Sequence, residues 1–489
     1  MVAAGHPRTA EVGAEVLRAG GNAVDAAIAA VLASWVCEPL LTGPGAGGYL
    51  LACGGGWDAE LLDFFVAAPG TGSARPQHGF LTPVEVDFGE TTQVFNCGHP
   101  SCGVPGSAAG LAAAAERWGS LPLADLTAPG AALAREGVPL HPQQAYVFQI
   151  LEKILLHTPE SAALFAPGGR PLRAGEPFRS AELAETIERL GRDGSAPFQS
   201  GDIAAAIVAC LGDGGGAITP ADLRDYAALS REPARVSFRG RDVLTNPPPS
   251  AGGVLLALAL KTLDTRTDAA PSAVELAGIM EQVQSLRTPE FVDGLTDPGF
   301  LQRTLDSRLG ATTHICVLDA DGHACSVTCT NGEGSGVVVP GTGIHLNNIM
   351  GEEDLNPLGF FRMPAARRMP SMMAPTAVLG SSGDVELVLG SAGSNRIRSA
   401  ILQVIVNVVD RGMPAGEAIE AARLHTEAGL VYAEPGIDVD ALEASGRDVV
   451  RFHGPSLFFG GAQAIECDAR TGAVSGGGDP RRGGAAVSA

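Results

Sequence analysis

Two strand-like runs joined by a tight turn constrain this chain more than any other feature. Thr312 to Asp319 reads TTHICVLD and His323 to Thr330 reads HACSVTCT. Both are rich in β-branched residues and alternate with period two. The intervening Ala320-Asp321-Gly322 suits a three-residue hairpin loop, with Gly322 able to take the positive-φ position. Pairing Asp319 with His323 brings Thr312 directly opposite Thr330 on one face, with Cβ atoms roughly 4.5–5.5 Å apart. A single bulge would shift that register by one residue.

A threonine hydroxyl is a poor nucleophile until a base takes its proton. If the peptide bond between Ala311 and Thr312 breaks, the new α-amine of Thr312 is such a base, already within reach. Its unperturbed pKa of about 7.7–8.0 lies close to working pH. Thr330, across the ladder, is suited to orient the amine or the nucleophile. The same hydroxyl can attack the Ala311 carbonyl first, so that one group performs both maturation and turnover. Two facing threonines are equally an ordinary cross-strand pair, and the hairpin alone leaves both readings open.

The rest of the chain narrows the class by exclusion. A formal net charge of −21 argues against a nucleic-acid partner, which needs clustered Lys and Arg. The most apolar early stretch, Ala23 to Cys37, contains Asp25 and is too short to span a bilayer. The first residues show no basic region followed by an apolar run, and nine cysteines without a regular framework suit reduced thiols. A cytoplasmic protein is therefore expected. Gly43-x-Gly45-x-x-Gly48 follows a helix and precedes a strand, the reverse of a dinucleotide site. Cys97, His99 and Cys102 lack a second ligand pair, so neither a metal nor an organic cofactor is expected.

The first third reads mainly as helix. Glu11–Arg18 ends at Gly20-Gly21, and Asn22 caps a buried Ala23–Ser34 helix that is apolar nearly all round. Further helices are expected at Ser107–Trp118, Leu123–Arg135, Ala181–Arg192, Ile203–Cys210, Pro220–Tyr226 and Val254–Leu263. Val236 to Leu244 has β character, and residues 265–311 read as polar and irregular.

Taken in order, several segments resemble the gamma-glutamyltransferase family over nearly the whole chain: Gly20-Gly-Asn-Ala-Val-Asp-Ala-Ala27, Gly43-Pro-Gly-Ala-Gly-Gly48, Gly103-Val-Pro-Gly106, Arg231-Glu-Pro233, Pro247-Pro-Pro-Ser-Ala-Gly-Gly253, Gly310-Ala-Thr-Thr-His314, Leu346-Asn-Asn348, Ala374-Pro-Thr376 and Gly390-Ser-Ala-Gly-Ser-Asn-Arg396. The resemblance implies an α+β fold of the N-terminal nucleophile hydrolase type, a four-layer αββα sandwich. It implies a precursor split into a large chain, 1–311, and a small chain, 312–489. It further implies Thr312 as nucleophile, Thr330 as its support, and backbone N–H groups around Gly393 and Ser394 as the oxyanion hole.

The chain departs from the family at the substrate contacts. The Arg that clamps a γ-glutamyl carboxylate follows an Asp-Phe pair in the family; here that position is Phe65, which offers no bidentate donor. Among the acceptors for the substrate amine, Asn348 is followed by Ile349 and Glu352, and a usual Ser pair reads Ser371-Met372. The loop that starts at Asn331 is shorter than the family's. These changes point to an intact acyl-cleaving site with a more apolar or smaller acyl pocket, acting on a small-molecule amide. Arg362, Arg367, Arg368 and Arg396 are candidates to bind a carboxylate from another direction, or are structural. Two alternatives remain: a true γ-glutamyl hydrolase or transferase acting on glutathione or γ-glutamyl amides, and an unprocessed, catalytically silent binding protein. A homodimer of the processed heterodimer is a further possible assembly.

Overall fold

The computed structural model describes residues 1–72, 79–87, 92–265, 270–285, 312–356 and 359–489. Ala311, half of the expected scissile bond, lies outside the described residues.

The strands that build the centre are β1 (Val2–Ala4), β2 (Gly47–Gly54), β3 (Trp57–Phe64), β4 (Leu229–Arg231), β5 (Ala234–Phe238), β6 (Arg241–Thr245), β7 (Thr313–Leu318), β8 (His323–Thr330), β9 (Thr376–Leu379), β10 (Val385–Ala392), β11 (Gly461–Cys467), β12 (Val474–Gly478) and β13 (Ala485–Val487). One seven-stranded sheet runs β13-β1-β7-β8-β2-β3-β4, and a six-stranded sheet runs β12-β11-β10-β9-β6-β5. Every pairing in both is antiparallel. The sheets stack through β7 and β8 against β10, and β7 against β11.

Helices cover both outer faces. α1 (Pro7–Arg18), α2 (Ala23–Cys37) and α3 (Ser107–Trp118) lie on the first sheet. α4 (Ala251–Asp264), α6 (Arg396–Val409) and α7 (Ala415–Glu420) lie on the second, and α5 (Ala273–Ser285) packs beside α4. The result is the expected αββα sandwich. α2 explains its own position: every residue is buried, as a helix apolar on all sides requires. An Asn22–Asp25 capping box starts it.

Strand alternation divides the core. Ile315, Val317, Cys325 and Val327 join the apolar cluster under α1 and α2. Cys316, Leu318 and Ala324 join the cluster of the second sheet. Residues from both sides of position 311 interleave in each sheet, so the expected large and small chains share one core.

Several expectations need correction. The first third carries more helix than strand, as expected, but Gly47–Gly54 and Trp57–Phe64 add two strands to the centre, joined through Gly54, Gly55 and Gly56, all at positive φ. Val236–Leu244 is β as expected, in the form of a hairpin that turns at Arg239-Gly240, φ 52° and 74°. Residues 265–311 are not wholly irregular, since α5 occupies Ala273–Ser285. Ser272 and Glu275 exchange capping hydrogen bonds there, and Leu276, Ile279, Met280 and Val283 bury one stripe. Pro220–Tyr226 shortens to Pro220–Arg224, while α1, α2 and α4 extend beyond their expected ends.

Candidate active site

The hairpin register is the one read from the sequence. Thr313 pairs with Cys329 and so on to Leu318 with Ala324, without a bulge; continued by one step, the same register sets Thr312 against Thr330. The turn closes through Asp319 N–H to the His323 carbonyl at 3.0 Å, with Gly322 at φ 82°.

Alternation then sends neighbouring side chains to different environments. Thr313 points to the helical side and donates to Glu38 Oε1 at 3.0 Å, just past the end of α2. His314 faces the second sheet, where its Nδ1 meets Thr328 Oγ1 at 2.8 Å. Burial lowers the His314 pKa to about 3, so the ring is neutral at any working pH. Thr312 is 1% exposed, and its Oγ1 has no hydrogen-bond partner among the described residues. Thr330 Oγ1 accepts from Gly332 N–H at 2.9 Å.

The second sheet brings the remaining loop to the same end. Ser326 Oγ donates to the Leu389 carbonyl at 3.0 Å, and a Cβ on Gly390 would lie 2.3 Å from the His314 ring. Advancing along both sheets from that contact leads to Thr312 and Thr330 on one side and to Gly393 and Ser394 on the other. Both loop residues are left-handed, φ 115° and 63°, directly before α6. Such a turn before a helix start aims backbone N–H groups into a concavity.

The expected substrate-contact residues fall into two groups. Asn348 and Glu352 converge on the turn after Thr330: a Cβ on Gly332 would lie 2.0 Å from Asn348 Oδ1 and 2.2 Å from Glu352 Oε1. Asn331 is tied back instead, its Nδ2 donating to the His345 carbonyl at 3.2 Å. Phe65, Ile349 and Met372 belong to one buried apolar cluster with Met350, Met369 and Met373. Phe65 stacks on Tyr49 at 5.6 Å. Ser371 faces inward: its Oγ accepts from Met373 N–H, and its carbonyl accepts from Ala251 N–H at 2.8 Å.

Two of the arginines raised as carboxylate partners are committed elsewhere. Arg368 binds Asp63 at 3.2 Å and lies over the Tyr226 ring at 4.3 Å. Arg396 donates to the Phe458 carbonyl at 2.7 Å and lies over that ring. Arg362 and Arg367 are exposed.

Two residues escaped the sequence reading. Asn347 binds the Gly45 and Gly103 carbonyls and the Gly103 N–H, clasping two glycine-rich segments together. Glu38 is fully buried beside the hairpin. Burial pushes its carboxyl up to about 7, although Thr313 and the Arg482 charge oppose the shift. The only sequence signal for it was an acid directly following a helix that is apolar nearly all round.

Stacked antiparallel sheets between helical layers, with this hairpin at their centre, are the fold of N-terminal nucleophile hydrolases. The sequence pattern of the gamma-glutamyltranspeptidase family matches residues 9–306 and 279–489, and the chain belongs to that family. It is 31% identical to the acylase ACY 1 proenzyme of Pseudomonas sp. (strain SE83), covering 92% of this chain and 87% of that protein. It is 33% identical to a glutathione hydrolase proenzyme of Pseudomonas aeruginosa, covering 87% and 82%. The crystal structure of cephalosporin acylase from Bacillus halodurans superposes with TM-score 0.83 at 27% identity, covering 100% of this chain and 95% of that one. Among the described residues, no helix is long and apolar enough to cross a membrane.

Proposed function

We propose that the chain matures by breaking the Ala311–Thr312 bond and then acts as an N-terminal threonine hydrolase or acyltransferase on a small amide. In maturation, Thr312 Oγ attacks the Ala311 carbonyl, the peptide becomes an ester, and water releases residues 1–311 with a new carboxylate. Thr312 keeps the freed α-amine. In turnover that amine takes the hydroxyl proton as Oγ adds to the substrate carbonyl. N–H groups at Gly393 and Ser394 hold the oxyanion, and Thr330 steadies the nucleophile. The leaving amine carries the proton away, and water or another amine resolves the acyl-enzyme.

The observation that carries this reading is a buried hydroxyl, Thr312 Oγ1, left without a partner at the strand start opposite Thr330. A buried polar group without a partner costs about 1–3 kcal/mol, and this one lies at the residue that the family resemblance makes the nucleophile. That relatives in both directions carry the names acylase and glutathione hydrolase supports amide chemistry. Phe65, Ile349 and Met372 favour an acyl group other than γ-glutamyl. The convergence of Asn348 and Glu352 on Gly332 favours the rival reading, a γ-glutamyl hydrolase, because these groups suit a substrate ammonium.

Intact mass spectrometry tests the main claim: two chains are expected, the smaller beginning at Thr312. A single full-length species after long incubation would leave the silent binding protein as the reading. Release of p-nitroaniline from γ-glutamyl-p-nitroanilide, lost in Thr312→Ala, would decide for the rival.

A further inference from the structure

Arg482 stands out among the arginines near the site. Its neighbour Arg481 binds Glu434 and Asp479, Arg423 binds Asp479, and Arg231 and Arg368 share Asp63. Arg482 is half-buried, yet its side chain makes no ion pair and no hydrogen bond among the described residues, and its Nε is buried without a partner.

Three elements locate it. Its stem runs over Gly461, where an added Cβ would lie 2.4 Å from Arg482 Cδ. Gly461 pairs with Ala392, and the adjacent Gly460 abuts Gly393, so the stem passes at the foot of the 393–394 loop. On the hairpin side, its charge is felt by Glu38, the carboxyl that holds Thr313, and by Glu333, three residues past Thr330. Arg396, at the start of α6, adds a second positive charge nearby.

From this convergence we propose that the Arg482 guanidinium is the docking point for a carboxylate carried by the substrate, replacing from the C-terminal segment the clamp that Phe65 removes. The proposal rests on the threonine-hydrolase reading above and names its substrate class: a small amide bearing a carboxylate. Burial lowers the Arg482 pKa to about 10, which leaves it charged at neutral pH. Holding a half-buried cation without a partner is costly, and a planar carboxylate accepting two N–H bonds offsets that cost. Asp479, Glu38 and Glu333 all act on its charge, yet none of them forms an ion pair with it among the described residues, Asp479 being taken by Arg423 and Arg481, and the Arg396 charge favours an incoming anion.

The carboxylate can sit on the acyl side or on the leaving-amine side of the amide. Glutaric acid monoamide carries it on the first, N-butyrylglycine on the second, and butyramide on neither. Ligand-observed NMR with the mature wild-type protein is expected to show one of the two acids binding at least tenfold more tightly than butyramide. That preference should collapse in Arg482→Gln and largely persist in Arg482→Lys. Equal binding of all three by the wild type, or a preference that survives in Arg482→Gln, overturns the proposal. Intact mass of the same wild-type sample separates the two failures. Cleaved protein without the preference sinks only the carboxylate site, whereas an uncleaved chain sinks the reading beneath it.

Discussion

Beneath the last strands, Arg481 donates to Glu434 at 2.7 Å and Arg423 pairs with Asp479 at 2.6 Å, and all four residues are at most 6% exposed. Glu434 also accepts from the N–H groups of Arg423 and Ser456. The end of the hairpin treats buried polar atoms in the opposite way. Thr312 Oγ1, His314 Nε2, Asn348 Oδ1, Glu38 Oε2 and Arg482 Nε are all buried there without hydrogen-bond partners among the described residues. The same chain therefore pairs its buried charges where the job is structural, with Arg423 Nε the atom left unbonded among these four residues, and leaves several donors and acceptors open around Thr312. Buried atoms without partners also occur elsewhere among the described residues, at Trp35 Nε1, Tyr49 OH and Asn246 Oδ1 for example, so what singles out this group is that it lies where the processing-site segment meets the second sheet.

The largest effect should come from the open region. Thr312→Ala is expected to abolish the Ala311–Thr312 cleavage and lower any amidase turnover by roughly three orders of magnitude or more, because nucleophile and base vanish together. Denaturing electrophoresis and progress curves measure both. A variant that still splits at this bond would end the contrast, since the unpartnered hydroxyl would then have no chemical role.

The closed region should answer in stability instead. Glu434→Ala leaves the buried Arg481 and Arg423 to share Asp479 alone and is expected to cost about 3–5 kcal/mol, read by urea unfolding, the usual penalty for an uncompensated buried charge. Arg482→Gln, one residue along from Arg481, should change stability by less than about 1 kcal/mol, because no ion pair is broken. Equal losses at the two sites would erase the distinction between the regions.

What the sequence revealed follows the same division. The hairpin register was legible because turn chemistry and β-branched alternation are local, and Gly322 left one way to close the loop. Phe65, Ile349 and Met372 were singled out by the family resemblance, and all three lie buried in the large apolar core of the second sheet. Arg482 was invisible, because its position depends on the pairing of Ala392 with Gly461, a contact between distant segments. Glu38 was hidden for a similar reason: its meaning depends on Thr313 arriving from 275 residues away. α5 was missed because its buried stripe sits inside a polar stretch, where average composition conceals a period of 3.6.

Glu38 offers the finest cut, because it belongs to both regimes: Oε1 is bonded to Thr313 and Oε2 is open. Burial raises its pKa from 4.5 to about 7 in the folded protein. The folded state therefore holds this proton more tightly than the unfolded chain. Unfolding stability should fall as pH rises from about 4.5 to about 7 and level off above that, by on the order of 3 kcal/mol from this group. Glu38→Gln keeps an acceptor for Thr313 but has no proton to lose. Relative to wild type, it is expected to gain stability between pH 5 and pH 8, in urea melts at each pH. Parallel pH profiles for the two proteins would mean that this carboxyl ionises normally, and that its open oxygen reaches solvent rather than lying sealed beside the hairpin.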